Sequence, residues 1–550
     1  MDKIVFSAEN NGGGDFLMKK RAESGIIILG VVFALIFIVI IGNYFTIAAD
    51  SKYAAAAAEQ SKLTIKTENI EGNIYDRNMN LMVNSKKYHI AVAVPQAIDA
   101  EETAKFAEDK ADFYKKFEKG APFLFKCSEF TKESDGLTVF EVPMRYAENQ
   151  VAQHVIGYTS GGEGVAGIEY AYDNILRECS GENSVTYTSD GFGRILIGEG
   201  KDVVRSGEIN SGVVTTIDSR IQRVCEAAGR KIDKGAVIVT EVKTGDILAL
   251  ASFPDYSVFD LDNAVSDEDS PMINRALYSY SVGSVFKLVT ACQGINEGYE
   301  GYMYNCTGSI DINGQIFRCH NLNGHGLQSM KEAMVNSCNT YFISLSSLLS
   351  VPDFRDTAFN LGFGREIHLC SGMTASGGVL PEEKELLIPA ELANFSFGQG
   401  KLTAAPLQIS QLTCAIANNG KMPALRIIKG VTSDGESAEN EKDPQYSFAM
   451  EPETANKLKK MMIAAVTDNE NSNARPFYVS AAAKTSTAQN GHIDDDGNEL
   501  YNAWITGFFP AYRPKYAITV LVEDGGFGND YAAPVFREIA DKITKLEEKD

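Results

Sequence analysis

Residues 280–289 read Tyr280-Ser281-Val282-Gly283-Ser284-Val285-Phe286-Lys287-Leu288-Val289, which sets a hydroxyl and an amine three positions apart. Residues i and i+3 of a helix share a face, so Ser284 and Lys287 are predicted to be neighbours. Gly283 permits a turn before the serine, and a helix N-terminus there points free amide groups at whatever the serine attacks. The pattern predicts an activated serine nucleophile with a lysine as its proton acceptor. Alone it is a weak signal, because ~2 such pairs arise by chance in a chain this long.

Two more short motifs follow in order along the chain. The first is Ser337-Cys338-Asn339, and the second is Lys484-Thr485-Ser486-Thr487, which we place on an edge strand. Each of them is common by itself, as part of a loop or a helix cap. Because the three occur in one order within a single chain, the set is far more informative than any member.

The ordered set resembles the Ser-x-x-Lys, Ser-x-Asn and Lys-Thr-Gly signatures of penicillin-binding proteins and serine β-lactamases. Flanking motifs narrow the resemblance to monofunctional, class B-like penicillin-binding transpeptidases, members of the penicilloyl serine transferase family. Those motifs are Asn274-Arg275-Ala276, Gly398-Gln399-Gly400, Pro406-Leu407-Gln408, Phe509-Pro510 and, far upstream, Gly72-Asn73-Ile74-Tyr75-Asp76-Arg77-Asn78 and Gly167-Ile168-Glu169. The likeness covers most of the chain beyond its N-terminal apolar segment.

Four positions depart from the family pattern. Glu71 replaces an arginine, Met79 a glycine and Val282 a proline, and these three changes look mild. Ser486 stands where the third motif usually has glycine, which lets substrate lie flat on the edge strand. A Cβ and hydroxyl there are expected to crowd substrate or to lean outward. We expect activity to be kept, with altered affinity for β-lactams; a catalytically weakened scaffold is the alternative.

The resemblance implies acyl transfer by a serine. Ser284 is expected to attack the carbonyl between the two D-alanines that end a peptidoglycan stem peptide. Lys287 serves as base if burial lowers its pKa, since desolvation disfavours the ammonium form. Ser337 is expected to carry a proton to the departing D-alanine, with Lys484 orienting it. An amine from a neighbouring strand then attacks the acyl-enzyme and frees the serine.

The remaining predicted site residues hold the substrate. The resemblance implies that Asn339 hydrogen-bonds the substrate amide and that Thr485 and Thr487 help to hold the terminal carboxylate. Ser486, between them, is expected to be a substrate-binding residue as well. The backbone N–H groups of Ser284 and Thr487 are expected to form an oxyanion hole. Penicillin would acylate the same serine and leave slowly. This mechanism needs no metal and no diffusible cofactor.

Composition limits the partners and the redox chemistry. The formal charge of −22 excludes nucleic acid as the principal partner, because phosphate neutralisation needs clustered Lys and Arg. The nine cysteines contain no Cys-x-x-Cys, so we expect no zinc or redox motif. Cys306 and Cys319 flank a Gly-rich turn and form either a hairpin disulfide or two free buried thiols. His320 and His325 are interpreted as polar loop histidines.

A membrane segment opens the chain. Residues 1–24 are polar and end in a basic cluster, and residues 25–47 are apolar and uncharged, which is long enough to span a bilayer. The basic cluster predicts a cytoplasmic N-terminus and an extracytoplasmic remainder. A cleaved signal peptide competes, since residues 47–49 are small or apolar. The apolar run exceeds a usual signal core and favours an uncleaved, single-pass anchor.

The rest of the chain is predicted to be α/β. We expect a mixed α+β pedestal over residues 50–212 and a transpeptidase-like domain over 213–550, in which an antiparallel sheet contains a helical insertion. The favoured function is a membrane-anchored D,D-transpeptidase inhibited by β-lactams. A D,D-carboxypeptidase or β-lactamase, and a non-catalytic scaffold, stay open. No glycosyltransferase motif is found, so a SEDS-type glycosyltransferase is the expected partner for strand polymerisation.

Overall fold

A computed structural model describes residues 13–67, 69–128, 133–494 and 496–549. Residues 1–12 of the predicted cytoplasmic tail lie outside the described residues. The first helix, α1, covers Gly13–Ala49. Between Lys19 and Ala49, its most apolar 18 residues have a mean hydropathy of 3.2, and none of them is buried. The helix is therefore long and apolar enough to cross a membrane. This apolar helix contains the anchor predicted over residues 25–47.

The other elements alternate along the chain. The further helices are α2 (Ser51–Gln60), α3 (Ala100–Thr103), α4 (Lys110–Phe117), α5 (Gln153–Ile156), α6 (Gly167–Ala171), α7 (Asp173–Glu178), α8 (Ser219–Gly229), α9 (Leu261–Ser266), α10 (Lys287–Asn296), α11 (Met330–Val335), α12 (Asn339–Ser346), α13 (Val351–Asn360), α14 (Glu383–Leu386), α15 (Pro389–Ser396), α16 (Pro406–Ala417), α17 (Pro452–Thr467) and α18 (Gly528–Glu547). The strands are β1 (Lys62–Lys66), β2 (Asn73–Tyr75), β3 (Lys86–Ala93), β4 (Phe123–Cys127), β5 (Leu137–Met144), β6 (Tyr158–Ser160), β7 (Glu163–Ala166), β8 (Ser184–Thr188), β9 (Lys201–Val204), β10 (Gly212–Thr215), β11 (Gly235–Glu241), β12 (Ile247–Phe253), β13 (Tyr280–Ser281), β14 (Tyr304–Cys306), β15 (Ser309–Ile312), β16 (Gln315–Arg318), β17 (Gly326–Gln328), β18 (Ile367–Cys370), β19 (Met373–Ala375), β20 (Thr403–Ala404), β21 (Lys421–Pro423), β22 (Ile428–Thr432), β23 (Tyr446–Phe448), β24 (Ala482–Ile493), β25 (Glu499–Phe509) and β26 (Tyr516–Val522).

Two compact units are interleaved along the chain. Among the described residues, the first falls within Met1–Glu68, His89–Phe140 and Glu182–Arg205, and the second within Asn69–Tyr88, Glu141–Gly181 and Ser206–Asp550. The boundary predicted between residues 212 and 213 stays a prediction. The compact units do not follow it, because two earlier segments belong to the larger unit.

The smaller unit is built from short strands and helices. The sheet β1-β8-β9 lies within it, and β4 pairs with the second half of β3. Helix α4 begins where Asp109 accepts hydrogen bonds from two backbone amides, a strong N-cap. Its Phe113 is fully buried and lies edge-on to Phe123 and Phe125. This aromatic cluster forms the unit's core, so the unit has the mixed α+β character expected for a pedestal.

The larger unit is organised on a five-stranded antiparallel sheet in the order β12-β11-β26-β25-β24. Its strands come from both ends of the unit, and most of the helices lie between them in sequence. This is the predicted antiparallel sheet with a helical insertion, so the α/β prediction is confirmed. Strand β24, which carries the third motif, lies at one edge of the sheet.

Alternate side chains of the sheet pack on opposite faces, as the strand pleat requires. Ile505 and Val520 pack with residues of α8 and α18. Their neighbours Trp504 and Leu521 pack into the helical core that includes α10, α16 and α17. All four side chains are fully buried, and each contributes roughly 1.5–3 kcal/mol of hydrophobic stabilisation. The edge strand is therefore fixed rigidly against the helix that begins at Lys287.

The upstream family-like motifs have structural roles in the larger unit. Glu169 is 1% exposed and accepts two hydrogen bonds from Arg145, at 2.8 and 2.6 Å, and one from Tyr146 at 2.9 Å. Glu71 lies 3.6 Å from the same guanidinium. Glutamate in place of the family's arginine thus gives Arg145 a second anionic neighbour. Asp76 is fully buried and accepts backbone amides from Asn78 and Asn80.

Candidate active site

Ser284 lies on a short 3-10 helix, Gly283–Phe286, and Lys287 follows as the first residue of α10. In a 3-10 helix the positions i and i+3 are eclipsed, so the serine and the lysine share a face. Gly283 has a φ of +62°, which requires glycine, and its amide donates to the Gly398 carbonyl at 2.8 Å. A Cβ at Gly398 would approach the Gly283 oxygen to 2.1 Å. The Gly-Gln-Gly motif therefore allows close backbone approach beneath the nucleophile.

Lys287 is fully buried and joins the first motif to the second. Its Nζ donates to the backbone oxygen of Ser337 at 2.6 Å and to Asn339 Oδ1 at 2.7 Å. The Ser337 hydroxyl lies 3.4 Å away. Burial lowers the pKa of Lys287 to about 7. A large fraction of this amine is therefore neutral near physiological pH.

Lys484 joins the third motif to the second. Its Nζ donates to Ser337 Oγ at 2.8 Å and to the Thr485 carbonyl at 3.0 Å. Burial, and next the charge of Lys287, lower its pKa well below the usual value. Two buried amines that share one partly buried hydroxyl do not both hold a full positive charge at low cost. The pair is arranged to hold and pass on protons through the Ser337 hydroxyl.

Ser337 sits on a strained backbone. Its φ is +49°, in the left-handed region that non-glycine residues rarely adopt. The strain is maintained because Cys338 N donates to Ala333 O and both lysines hold atoms of Ser337. Asn339 begins α12 and donates through Nδ2 to the Arg318 carbonyl at 3.3 Å. The second motif is thus bound on several sides.

Ser486 turns inward, which differs from the expectation that its side chain would meet the substrate. It is 3% exposed and its hydroxyl donates to the Val282 carbonyl at 2.8 Å. Trp504, its partner on β25, donates through Nε1 to the Ser281 carbonyl at 3.0 Å. Side chains of β24 and β25 thereby hydrogen-bond to the backbone just before Ser284. Ser486 thus holds the turn that carries the nucleophile, and the sequence alone could not show which way its side chain points.

Substituting Ser486 should therefore weaken the hold on this turn. Ser486→Ala leaves the buried Val282 carbonyl unsatisfied, and we expect a loss of about 1–3 kcal/mol in the free energy of unfolding. Ser486→Gly should cost about 0.5–1 kcal/mol more through backbone entropy. Both should slow acylation by penicillin several-fold, measured beside denaturant unfolding, with the exposed Ser347→Ala as the matched control. Wild-type stability and rate in Ser486→Ala would show that the hydrogen bond contributes nothing.

Thr485 and Thr487 alternate with the buried residues of β24 and are partly exposed. Thr487 Oγ1 accepts from the Gly528 amide at 3.1 Å, which leaves its own hydrogen free to donate to a ligand. The structure thus places polar groups of the third motif along the accessible side of the edge strand. Their role in holding substrate stays a prediction.

The sequence did not indicate a cluster of thiols beside the second motif. All nine cysteines are free, so Cys306 and Cys319 form no disulfide and match the alternative of buried thiols. His325 is not a simple polar loop histidine, because its Nδ1 contacts both of those sulfurs at 3.6 Å. We name the group the thiol–imidazole cluster; it consists of Cys306, Cys319, His325 and Cys338. The cluster has no Cys-x-x-Cys spacing, so the sequence pattern did not mark it, and the expectation of no metal stays a prediction.

Sequence reasoning also missed Arg145 and the structural role of Arg275. Arg275 is 5% exposed, donates to two backbone carbonyls of the loop before it and pairs with Glu523 at 3.1 Å. No sequence signal marks such an arginine except its place in a short motif. These residues support the site without lying in it.

The fold and the site define the class of protein as a serine acyltransferase. Sequence comparison then identifies the family: the penicillin binding protein transpeptidase domain matches residues 235–541, more than half of the chain. The chain belongs to this family.

Curated relatives agree with this assignment. The chain is 28% identical over 418 residues to the peptidoglycan D,D-transpeptidase MrdA of Acinetobacter baumannii, which covers 68% of this chain and 60% of that protein, less than two thirds of its length. It is 25% identical over 553 residues to stage V sporulation protein D of Bacillus subtilis, a match that covers 93% of this chain and 83% of that protein.

Solved structures share the fold. A peptidoglycan synthase complex that coordinates polymerization and crosslinking matches with a TM-score of 0.67 and 21% identity, covering 94% of this chain and 98% of that one. Penicillin-binding protein A of M. tuberculosis, solved as a ceftriaxone acyl-enzyme, matches with a TM-score of 0.62 and 24% identity. The match covers 76% of this chain and 95% of that one.

Proposed function

We propose that the protein is a membrane-anchored peptidoglycan D,D-transpeptidase. Ser284 Oγ attacks the carbonyl between the two terminal D-alanines of a stem peptide, and its proton passes to Lys287. The peptide C–N bond then breaks, and the leaving amine takes a proton from Ser337, which Lys484 replaces. A neutral stem-peptide amine of a neighbouring strand then attacks the acyl-enzyme and gives up a proton through Ser337 to Lys484. As the ester bond breaks, Lys287 returns its proton to Ser284 Oγ, so the amide cross-link forms, the serine is released and both lysines regain their starting states.

The observation that carries this proposal is the hydrogen bonding of Lys287. A neutral amine has two N–H donors and one lone pair. The two donors are already used by Ser337 O at 2.6 Å and by Asn339 Oδ1 at 2.7 Å. We infer that the lone pair accepts the proton of Ser284, because that hydroxyl lies on the same helix face. The Ser337 hydroxyl, 3.4 Å from the same nitrogen, is the other group within reach. Burial keeps the amine neutral often enough to act as a base.

The second lysine, Lys484, supports the proposed proton supply to the leaving amine. Lys484 donates to Ser337 Oγ, so that hydroxyl is free to donate its own hydrogen elsewhere. A departing amine is the acceptor that needs it. The backbone amides of Ser284 and Thr487 are proposed as the oxyanion hole, and one such donor typically stabilises the transition state by about 3–4 kcal/mol.

The products of one incubation separate the candidate activities. The full-length protein in detergent, given a stem-peptide donor and an amine acceptor, should form a cross-linked peptide and release D-alanine. Fluorescent penicillin should label it for hours. If the donor peptide is hydrolysed and no cross-link forms, a carboxypeptidase is favoured. If penicillin is turned over within seconds, a β-lactamase is favoured. If penicillin does not label the protein, the non-catalytic scaffold is favoured.

Localisation and partners extend the proposal. A single pass by α1, with the two compact units outside the membrane, is supported by the basic cluster before the apolar run. Since residues 50–212 carry no glycosyltransferase motif, strand polymerisation falls to a separate protein, proposed to be a SEDS-type glycosyltransferase. Photocrosslinking from α1 in native membranes would reveal that protein, and its absence from the products would count against the pairing.

A further inference from the structure

Four ligand-bearing side chains meet beside the second motif, and they come from separate parts of the insertion. Cys306 ends β14, Cys319 follows β16 and His325 precedes β17. These strands pair as two small antiparallel ribbons, β14 with β17 and β15 with β16. The fourth member, Cys338, is the residue before α12. We call the two ribbons, β14–β17, the knuckle; the chain folds it back onto the second motif.

We propose that the thiol–imidazole cluster binds one Zn²⁺ ion. The four ligand atoms, three Sγ and one ring nitrogen, all lie within 4.8 Å of one another. Three sulfurs with one imidazole form a common structural zinc set, and soft thiolates select zinc over hard cations. The three cysteines are at most 2% exposed, so the ion would be shielded from water.

Three of the six ligand–ligand separations match a tetrahedron around one ion, and the other three are within 4.8 Å. Zinc lies about 2.3 Å from thiolate sulfur and about 2.0–2.1 Å from imidazole nitrogen. Tetrahedral angles then separate two sulfurs by about 3.8 Å, and a sulfur from the nitrogen by about 3.6 Å. The sulfurs of Cys319 and Cys338 are 3.8 Å apart, and the sulfurs of Cys306 and Cys319 are each 3.6 Å from His325 Nδ1. A disulfide would need about 2.05 Å.

The ion is structural and takes no part in the acyl transfer. Four protein ligands complete a tetrahedral shell and leave no position for substrate or water. Binding releases the protons of three thiols to solvent, while the imidazole binds neutral through Nδ1. No electron transfer is involved.

The site would lock the second motif in place. Cys338 lies between Ser337 and Asn339, both of which bond Lys287. Asn339 also donates to the carbonyl of Arg318, the residue before Cys319. The ion would therefore fix the knuckle to the strained backbone at Ser337. This effect on catalysis rests on the proposed function, whereas metal binding itself does not.

Metal analysis of the full-length, detergent-purified protein tests the proposal. We expect one zinc per chain by mass spectrometry. Exchange for Co²⁺ should give the intense thiolate-to-cobalt absorption and the visible bands of a tetrahedral site. Cys306→Ser and His325→Gln should each lose the metal and the bands. Cys414→Ser, a buried thiol outside the cluster, should keep both.

Catalysis is measured on the same preparations. Removal of zinc by a chelator should slow penicillin acylation by about 10–100-fold, because small displacements of catalytic groups are costly, and added Zn²⁺ should restore it. Reduced wild-type protein that contains no zinc and gives no cobalt bands would overturn the proposal. So would a Cys319–Cys338 disulfide in the native protein. Because the metal and cobalt readings do not depend on acylation, they separate failure of this site from failure of the transpeptidase assignment.

Discussion

Replacing Ser284 by alanine is expected to abolish covalent labelling of the protein by fluorescent penicillin. The acyl bond forms on that oxygen, and no neighbouring group on the same face of the turn replaces it. Ser337 has the other hydroxyl beside Lys287, but its Oγ accepts from Lys484 and the residue has a strained backbone. Loss of a serine nucleophile typically removes rate by several orders of magnitude, about 10⁶-fold in a well-studied hydrolase.

The measurement is mass spectrometry of the penicillin adduct, which reports both competence and the modified residue. Alanine keeps the backbone of the 3-10 turn, so denaturant unfolding of Ser284→Ala should match wild type. Ser347→Ala, at an exposed serine just after α12, is the control and should label normally. An adduct that survives in Ser284→Ala would remove the assigned nucleophile and with it the proposed chemistry.

Much of the fold follows from patterns that the sequence states directly. The apolar run at 25–47, the strand pair at 235–253 and the extended runs near the C-terminus predicted an anchor and an antiparallel sheet, and both are present. These patterns depend on burial period alone, which is a local property of a chain. The three motifs could likewise be recognised as a set, although only folding brings Ser337 and Lys484, 147 positions apart, within one hydrogen bond.

What the sequence could not show depends on direction and on long-range pairing. Strand alternation assigns Ser486 to a face, but only packing decides that its hydroxyl reaches Val282. The thiol–imidazole cluster has no Cys-x-x-Cys spacing, because two strand pairings and a helix start bring its members together. Arg145 bonds Glu169 across 24 positions without any local signal. Such contacts are properties of the tertiary structure.

Lys287→Arg should slow acylation by about 10²–10⁴-fold, the usual contribution of a general base. Arginine keeps the positive charge but cannot release a proton near neutral pH, so it separates proton transfer from simple electrostatics. The wild-type lysine should show the corresponding pH dependence. Because burial lowers its pKa to about 7, the neutral fraction and the acylation rate should rise with pH through a midpoint near 7 and level off roughly one pH unit above it.

Stopped-flow acylation by a chromogenic β-lactam across this pH range measures both effects. The arginine variant should have a low rate and no inflection near 7, and Lys401→Arg, an exposed lysine after the Gly-Gln-Gly motif, should match wild type. The larger guanidinium needs room beside Ser337 and Asn339, so Lys287→Met serves as a second variant that is close in length and uncharged. If either variant kept the wild-type rate or the wild-type rise with pH, the proton acceptor would have to be a different group.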